Sequence, residues 1–107
     1  MRQPTRPPKL EEGFLHRLVN NALDTGHLIV SRPARQRGAE REISLQDVRH
    51  GLRNGHHVAQ RDRFHEPTQE WSYCFHGPSV DGGLLRIVVV LQDWMLVVTV
   101  IRPGSED

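Results

Sequence analysis

The most constraining feature is the run Leu84-Leu-Arg-Ile-Val-Val-Val-Leu-Gln-Asp-Trp-Met-Leu-Val-Val-Thr-Val-Ile101. Its length would suit a membrane helix, but Arg86, Gln92 and Asp93 interrupt it, and its valine, isoleucine and threonine content favours extended backbone. Two strands, Leu84–Leu91 and Trp94–Ile101, joined at Gln92-Asp93, satisfy the pattern better. A hairpin this apolar on both faces belongs in the middle of a sheet. With 107 residues the chain has room for one small domain.

Alternation extends the sheet upstream. Trp71, Tyr73 and Phe75 alternate with Ser72, Cys74 and His76, which predicts a strand. Gly77 to Gly83 then reads as a turn, His56–Gln60 as a first strand and Arg61–Glu70 as a loop. The N-terminal half is helical. Phe14, Leu18 and Ala22, flanked by Leu15, Val19 and Leu23, make one apolar stripe that starts at Leu10 and stops at Gly26. Ser31 to Arg41 is a weak helix with its arginines outward. Ser44-Leu45-Gln46-Asp47 matches a capping box, with Ile43 and Val48 placed as a staple. That helix buries Leu45, Val48 and Leu52, carries Arg49 and Arg53 together on another face, and ends at Asn54-Gly55.

The expected fold is therefore α+β, with N-terminal helices packed on a curved, mainly antiparallel sheet of about four strands. Residues 1–9 read as a disordered lead, 10–102 as the domain and 103–107 as a tail. No internal repeat is visible. No apolar leader follows Met1-Arg2-Gln3-Pro4, so a cytoplasmic location is the expectation, and the single Cys74 cannot form an internal disulfide.

Net charge is +1, yet residues 1–65 hold 12 of the 14 Lys+Arg against 7 of the 13 Asp+Glu, a balance of +5. Residues 66–107 hold the remaining 2 and 6, a balance of −4. The basic half is nearly all arginine, whose planar fork suits phosphate, so a polyanionic partner is one reading and a solvated surface the other.

Arg86 is the most informative single residue. It shares a strand face with Val88 and Val90, where a lone guanidinium needs a partner or a task. Pairing with Asp81 or Glu70 is the structural alternative. Tyr73 and His76 fall on opposite faces of a regular strand. His76 is either a general acid or base or a solvated strand end. His56 and His57 are neighbours that a strand would point apart, and no Cys-x-x-Cys or His-Glu-x-x-His is present, so no metal site is expected. Cys74 alternates with Tyr73 and suits a small core position, a catalytic thiol being the alternative.

These residues carry a resemblance. Asn21 to Gly26, Ser31-Arg32-Pro33-Ala34, Arg41-Glu42-Ile43-Ser44-Leu45-Gln46-Asp47-Val48, Trp71-Ser72-Tyr73, Asp81-Gly82, Arg86 to Val90 and Val97 to Ile101 follow one another in order. The chain resembles a family of small bacterial proteins of unknown function that is similar to the RelE-like and MqsR-like toxin ribonucleases of toxin–antitoxin pairs. The resemblance implies a RelE-like sheet with a basic face, metal-independent and cofactor-free cleavage of mRNA through its own 2′-hydroxyl, and action on free or ribosome-bound RNA. It also implies a zinc-finger or helix-turn-helix antitoxin as partner, and no membrane. Carried across by matching positions, it has Arg86 offset charge in the transition state and Tyr73 stack a base or transfer a proton, with His76 or His27 as the catalytic substitute for the family's histidine. Arg35 and Arg41 hold phosphate on the basic helix and converge with Arg86 in one hollow between the layers, and Arg49 and Arg53 are further arginines expected to bind RNA. Pro33 stands where the family has histidine, and Glu42 where it has glycine. A non-catalytic RNA- or protein-binding module is the alternative reading.

Overall fold

A computed structural model describes residues 6–30, 43–92 and 95–101. The expected helix over Ser31–Arg41 lies outside them, as do Arg35 and Arg41. The elements run α1 (Glu12–Thr25), β1 (Leu28–Val30), α2 (Leu45–Asn54), β2 (His56–His57), a 3-10 turn (Ala59–Arg61), β3 (Arg63–His65), β4 (Glu70–Pro78), β5 (Leu84–Gln92) and β6 (Met95–Ile101). The class is α+β.

The sheet is larger than the four strands expected, and mixed. Among the described residues it has six strands in the order β1-β6-β5-β4-β2, with β3 also pairing to β4. β1 runs parallel to β6, with Ile29 opposite Val97, and every other pair is antiparallel. The two additions escape sequence reading because β1 and β3 are three residues each, too short for alternation to register. The expected strand His56–Gln60 is cut to two residues, since the chain turns away at Ala59 and returns to β4 as β3. β4 itself runs on through Gly77-Pro78, expected as the start of a turn.

Both helices bury one face against one side of the sheet. Leu15, Val19, Ala22 and Leu23 of α1 and Val48 and Leu52 of α2 meet Tyr73, Phe75, Leu85, Ile87, Val89, Val98 and Val100. Ladder register explains the set: Phe75 faces Ile87, which faces Val100, and Tyr73 faces Val89, which faces Val98. Phe14 and Leu45, expected in the buried stripes, are 43% and 55% exposed. Phe14 instead lies under the Arg17 guanidinium, and Leu45 is the first residue of its helix, one turn before burial begins at Val48.

The helix ends follow their local chemistry. Gly26 adopts φ 82° and its N–H donates to Ala22 O, closing α1 in the left-handed conformation that glycine takes without penalty. The capping box of α2 is formed: Asp47 N–H donates to Ser44 Oγ (3.1 Å) and Ser44 N–H to Asp47 Oδ2 (2.9 Å). Asp47 Oδ1 also accepts from Val80 N–H (2.9 Å), tying the β4–β5 turn to the helix. α2 approaches β4 so closely that a Cβ at Gly77 would fall on the backbone of Gly51.

Residues 6–10, most of them within the expected disordered lead, lie across β3 and β4. Trp71 Nε1–H donates to Pro7 O (2.7 Å), Leu10 N–H to Tyr73 Oη (2.9 Å), and the Arg6 guanidinium sits 5.0 Å from the Phe64 ring centre.

Candidate functional site

Strand pairing splits the adjacent His56 and His57 between the two faces of the sheet. His56 is opposite His76, and His76 is opposite Arg86, which is opposite Ile101. These residues form one row across β2, β4, β5 and β6, on the face turned away from the described helices. Arg86 Nε–H donates to His76 Nε2 (3.2 Å), so that nitrogen holds a lone pair and the ring is neutral with its proton on Nδ1. Partial burial holds His76 below the ordinary histidine value, and Arg86, Arg61 and His56 push it the same way. A cluster of positive groups therefore surrounds a histidine kept in its basic, proton-accepting form. The imidazoles of His56 and His76 meet edge to face, 6.1 Å between centres.

Cys74 lies on this same face, one row along, opposite Val88 and Thr99. It is 2% exposed but belongs outside the main apolar cluster. Burial pushes its thiol up, against the pull of Arg86.

His57 points the other way, onto Phe75 and Tyr73, with ring centres at 5.4 and 6.1 Å. Its Nδ1 meets Glu12 Oε1 at 2.8 Å and its Nε2 meets Asp62 Oδ2 at 2.8 Å. Carboxylates only accept, so the contacts are both satisfied when the ring carries both protons. Lys9 Nζ reaches the same Asp62 oxygen at 2.8 Å, and Glu12 also pairs with His16. The other Asp62 oxygen accepts from Cys74 N–H (2.9 Å), while Cys74 O accepts from Val58 N–H (2.8 Å). Where the chain leaves β4 between β2 and β3, a carboxylate thus takes the place of a neighbouring strand's carbonyl. The His57 bonds hold Glu12 below the ordinary carboxylate value. With both ring nitrogens engaged, this cluster anchors α1 and the N-terminal segment to the sheet.

The structure brings Arg86 and His76 together and separates the third catalytic candidate from them. Tyr73 is 4% exposed on the helix-covered face, its hydroxyl accepting from Leu10. Arg49 and Arg53 are on α2, across the sheet from Arg86. Arg49 Nη2 donates to Leu23 O (2.7 Å), filling a carbonyl near the end of α1, and Arg53 pairs with Asp24 at 3.0 Å. Both border a shallow depression of about 320 Å³ with His50 and Val80. Arg49 and Arg53 are thus on the other face from Arg86, while Arg35 and Arg41, expected to share a hollow with Arg86, lie outside the described residues. His56 and Arg61 are the residues that sequence reading left out of the site, because the β2–β4 register places His56 opposite His76 and the chain's turn at Ala59–Arg61 brings the Arg61 charge into its field.

A family pattern matches residues 30–102. The chain belongs to DUF4258, a domain of unknown function. No curated protein and no solved structure matches the chain. The DUF4258 span contains the whole row His56–His76–Arg86, together with Arg61, His57 and Asp62. Lys9, Glu12 and His16 lie before it, so the cluster at His57 and Asp62 joins residues inside the matched span to α1 and the segment ahead of it, beside the apolar contacts of α1 with the sheet. No described helix is long and apolar enough to cross a membrane. Among the described residues, no group of three His, Cys, Asp or Glu side chains is arranged to hold a metal ion.

Proposed function

We propose that the sheet face carrying His76 and Arg86 binds RNA and that these two residues cleave it as a metal-independent endoribonuclease, in the manner of the toxin ribonucleases the sequence resembles. The observation that carries the reading is the His76–Arg86 contact: a neutral imidazole nitrogen 3.2 Å from a guanidinium, amid further cations. When a phosphate enters, the guanidinium turns its donors onto the anion and releases Nε2. That nitrogen accepts the proton of the ribose 2′-hydroxyl as the 2′-oxygen attacks phosphorus. Arg86 stabilises the charge on the equatorial oxygens. The departing 5′-oxygen takes a proton from solvent as His76 gives its own up, leaving a 2′,3′-cyclic phosphate and a 5′-hydroxyl. Tyr73 has no part in the step, being on the other face. The same reading makes the chain one half of a toxin–antitoxin pair, neutralised by a zinc-finger or helix-turn-helix protein.

The second reading, a non-catalytic RNA-binding module, is favoured by Pro33 at the family's histidine position. One experiment separates the two. Full-length protein is incubated with labelled RNA in EDTA, alongside Arg86→Ala and His76→Ala. Cleavage to cyclic-phosphate ends, lowered on the order of 100-fold in Arg86→Ala, supports catalysis. Intact RNA with salt-dependent binding moves the protein to the second reading. Three phosphate contacts would give a slope of log affinity on log salt of about −2. Absence of binding at low salt refutes both. In cells, growth arrest on expression, relieved by a neighbouring gene, is the outcome expected of the toxin reading.

A further inference from the structure

Immediately beside the His56–His76 pair is a cavity of about 210 Å³. The ladder register explains what it is made of. Pro78 is opposite Leu84, one same-face row beyond His76 opposite Arg86. The two rows are about 7 Å apart, twice the rise of a strand residue. An apolar pair therefore stands one step from the His76–Arg86 pair, on the same face of the same two strands. Leu84 is 51% exposed, a large aliphatic side chain left in water at the mouth of the cavity. The wall between β2 and β4 is bare backbone at Gly55 and Gly77. The missing Cβ of Gly77 would point to the other face, where α2 leaves no room for it, so at this position the cavity is bordered by main chain alone. Asn54, at the last turn of α2, supplies an amide oxygen at the rim, its amide nitrogen being held by His50 O (3.0 Å).

We propose that this cavity is a nucleobase subsite: it takes the base of the nucleotide whose phosphate lies on Arg86. The proposal rests on the RNA reading given above. A flat ring fits between an aliphatic platform and an imidazole edge, and every nucleobase presents such a face. The volume is below the roughly 300 Å³ at which pockets for drug-sized ligands begin, and admits one ring system. Leu84 and Pro78 supply the stacking surface, His56 and His76 close the side nearest the phosphate, and the Asn54 amide meets the polar edge of the base. Placement one row from Arg86 means that base recognition and phosphate recognition act on the same nucleotide, so the subsite sets which residue of an RNA is presented to His76.

An abasic scan tests this. Full-length protein is titrated with a set of short single-stranded RNAs, each lacking the base at one position, and with the intact oligonucleotide. Wild type is expected to lose affinity on the order of 10-fold at one position and little elsewhere. Leu84→Ala, a change at a half-exposed site, is expected to bind the intact RNA about as weakly as wild type binds the critical abasic RNA, and to be indifferent to that base. Asn54→Ala is expected to flatten preference among the four bases there while retaining the abasic effect. A flat scan in wild type that still binds RNA in a salt-dependent way overturns the subsite and leaves the RNA reading standing. So does an abasic effect that Leu84→Ala does not alter, since the base would then be held elsewhere. Failure of wild type to bind the intact RNA at low salt overturns the RNA reading itself, and the subsite with it.

Discussion

Replacing Asp62 with alanine would strip three donors of their acceptor in one step. Its carboxylate is 1% exposed and receives Cys74 N–H on one oxygen, and His57 Nε2 and Lys9 Nζ on the other, all within 2.9 Å. The backbone N–H would be left buried without a partner, at a cost of about 1–3 kcal/mol. His57, 6% exposed, would keep its Glu12 bond but lose the second carboxylate. Lys9 is one-third exposed, and water replaces most of what it loses. The desolvation that Asp62 itself suffers on folding is relieved, which offsets part of the sum. Adding the hydrogen bond the carboxylate makes with His57, about 1.5–3 kcal/mol for a bond to a charged group, a total loss of about 3–4 kcal/mol is expected. In urea, followed by tryptophan fluorescence, the midpoint should fall by roughly 1.5–2 M for a slope near 2 kcal/mol per M, with the slope unchanged. Asp62→Asn keeps an oxygen for Cys74 while discarding the charge. It should lie between alanine and wild type, and it remains measurable if the alanine variant does not fold. A loss below about 1 kcal/mol for alanine would mean that the cluster behaves as a solvated surface network, and the anchoring argument would fail.

Four further outcomes follow from the same geometry. His76 is held below the ordinary histidine value by burial and by Arg86, so the acid limb of the RNA-cleavage rate should lie below pH 6.5, and a limb at or above that value would contradict the proposed base. Glu12 is held below its ordinary value of 4.5 by His57, so its contribution is complete above that pH and is lost as pH falls through the lowered value. Glu12→Gln should accordingly lose less stability than wild type on acidification, measured as urea midpoints at stepped pH. Cys74 is buried with its thiol pushed up, so alkylation by iodoacetamide should be slow in the native protein and rapid in denaturant; equal rates would place the thiol at the surface. Gly77→Ala would drive a Cβ into the Gly51 backbone, which cannot move aside as a side chain can, and should cost about 3 kcal/mol by thermal or urea unfolding.

Long periodic segments declared themselves from composition alone. Both described helices, the capping box at Ser44, the three long strands β4, β5 and β6 and the opposed faces of Tyr73 and His76 all follow from spacings within one element. Short strands did not, because three residues such as Leu28–Val30 carry no period, and their hydrogen bonds are supplied by distant partners. The site divides the same way. Arg86 stood out as a charge in an apolar strand, which is a local anomaly. His56 and Arg61 carried no such mark, and Arg49 and Arg53 carried one that reads two ways, since a two-arginine helix face looks the same whether it meets phosphate or the end of another helix.

What the sequence determined by itself was therefore each element's type and which side chains share its faces, because those depend on backbone periods of about 3.6 and 2 residues. Tertiary structure decided which faces meet. The register of β2, β4 and β5 put His56, His76 and Arg86 in one row and sent His57 to Asp62 on the other side, a one-residue distinction that no neighbouring residue in the chain encodes.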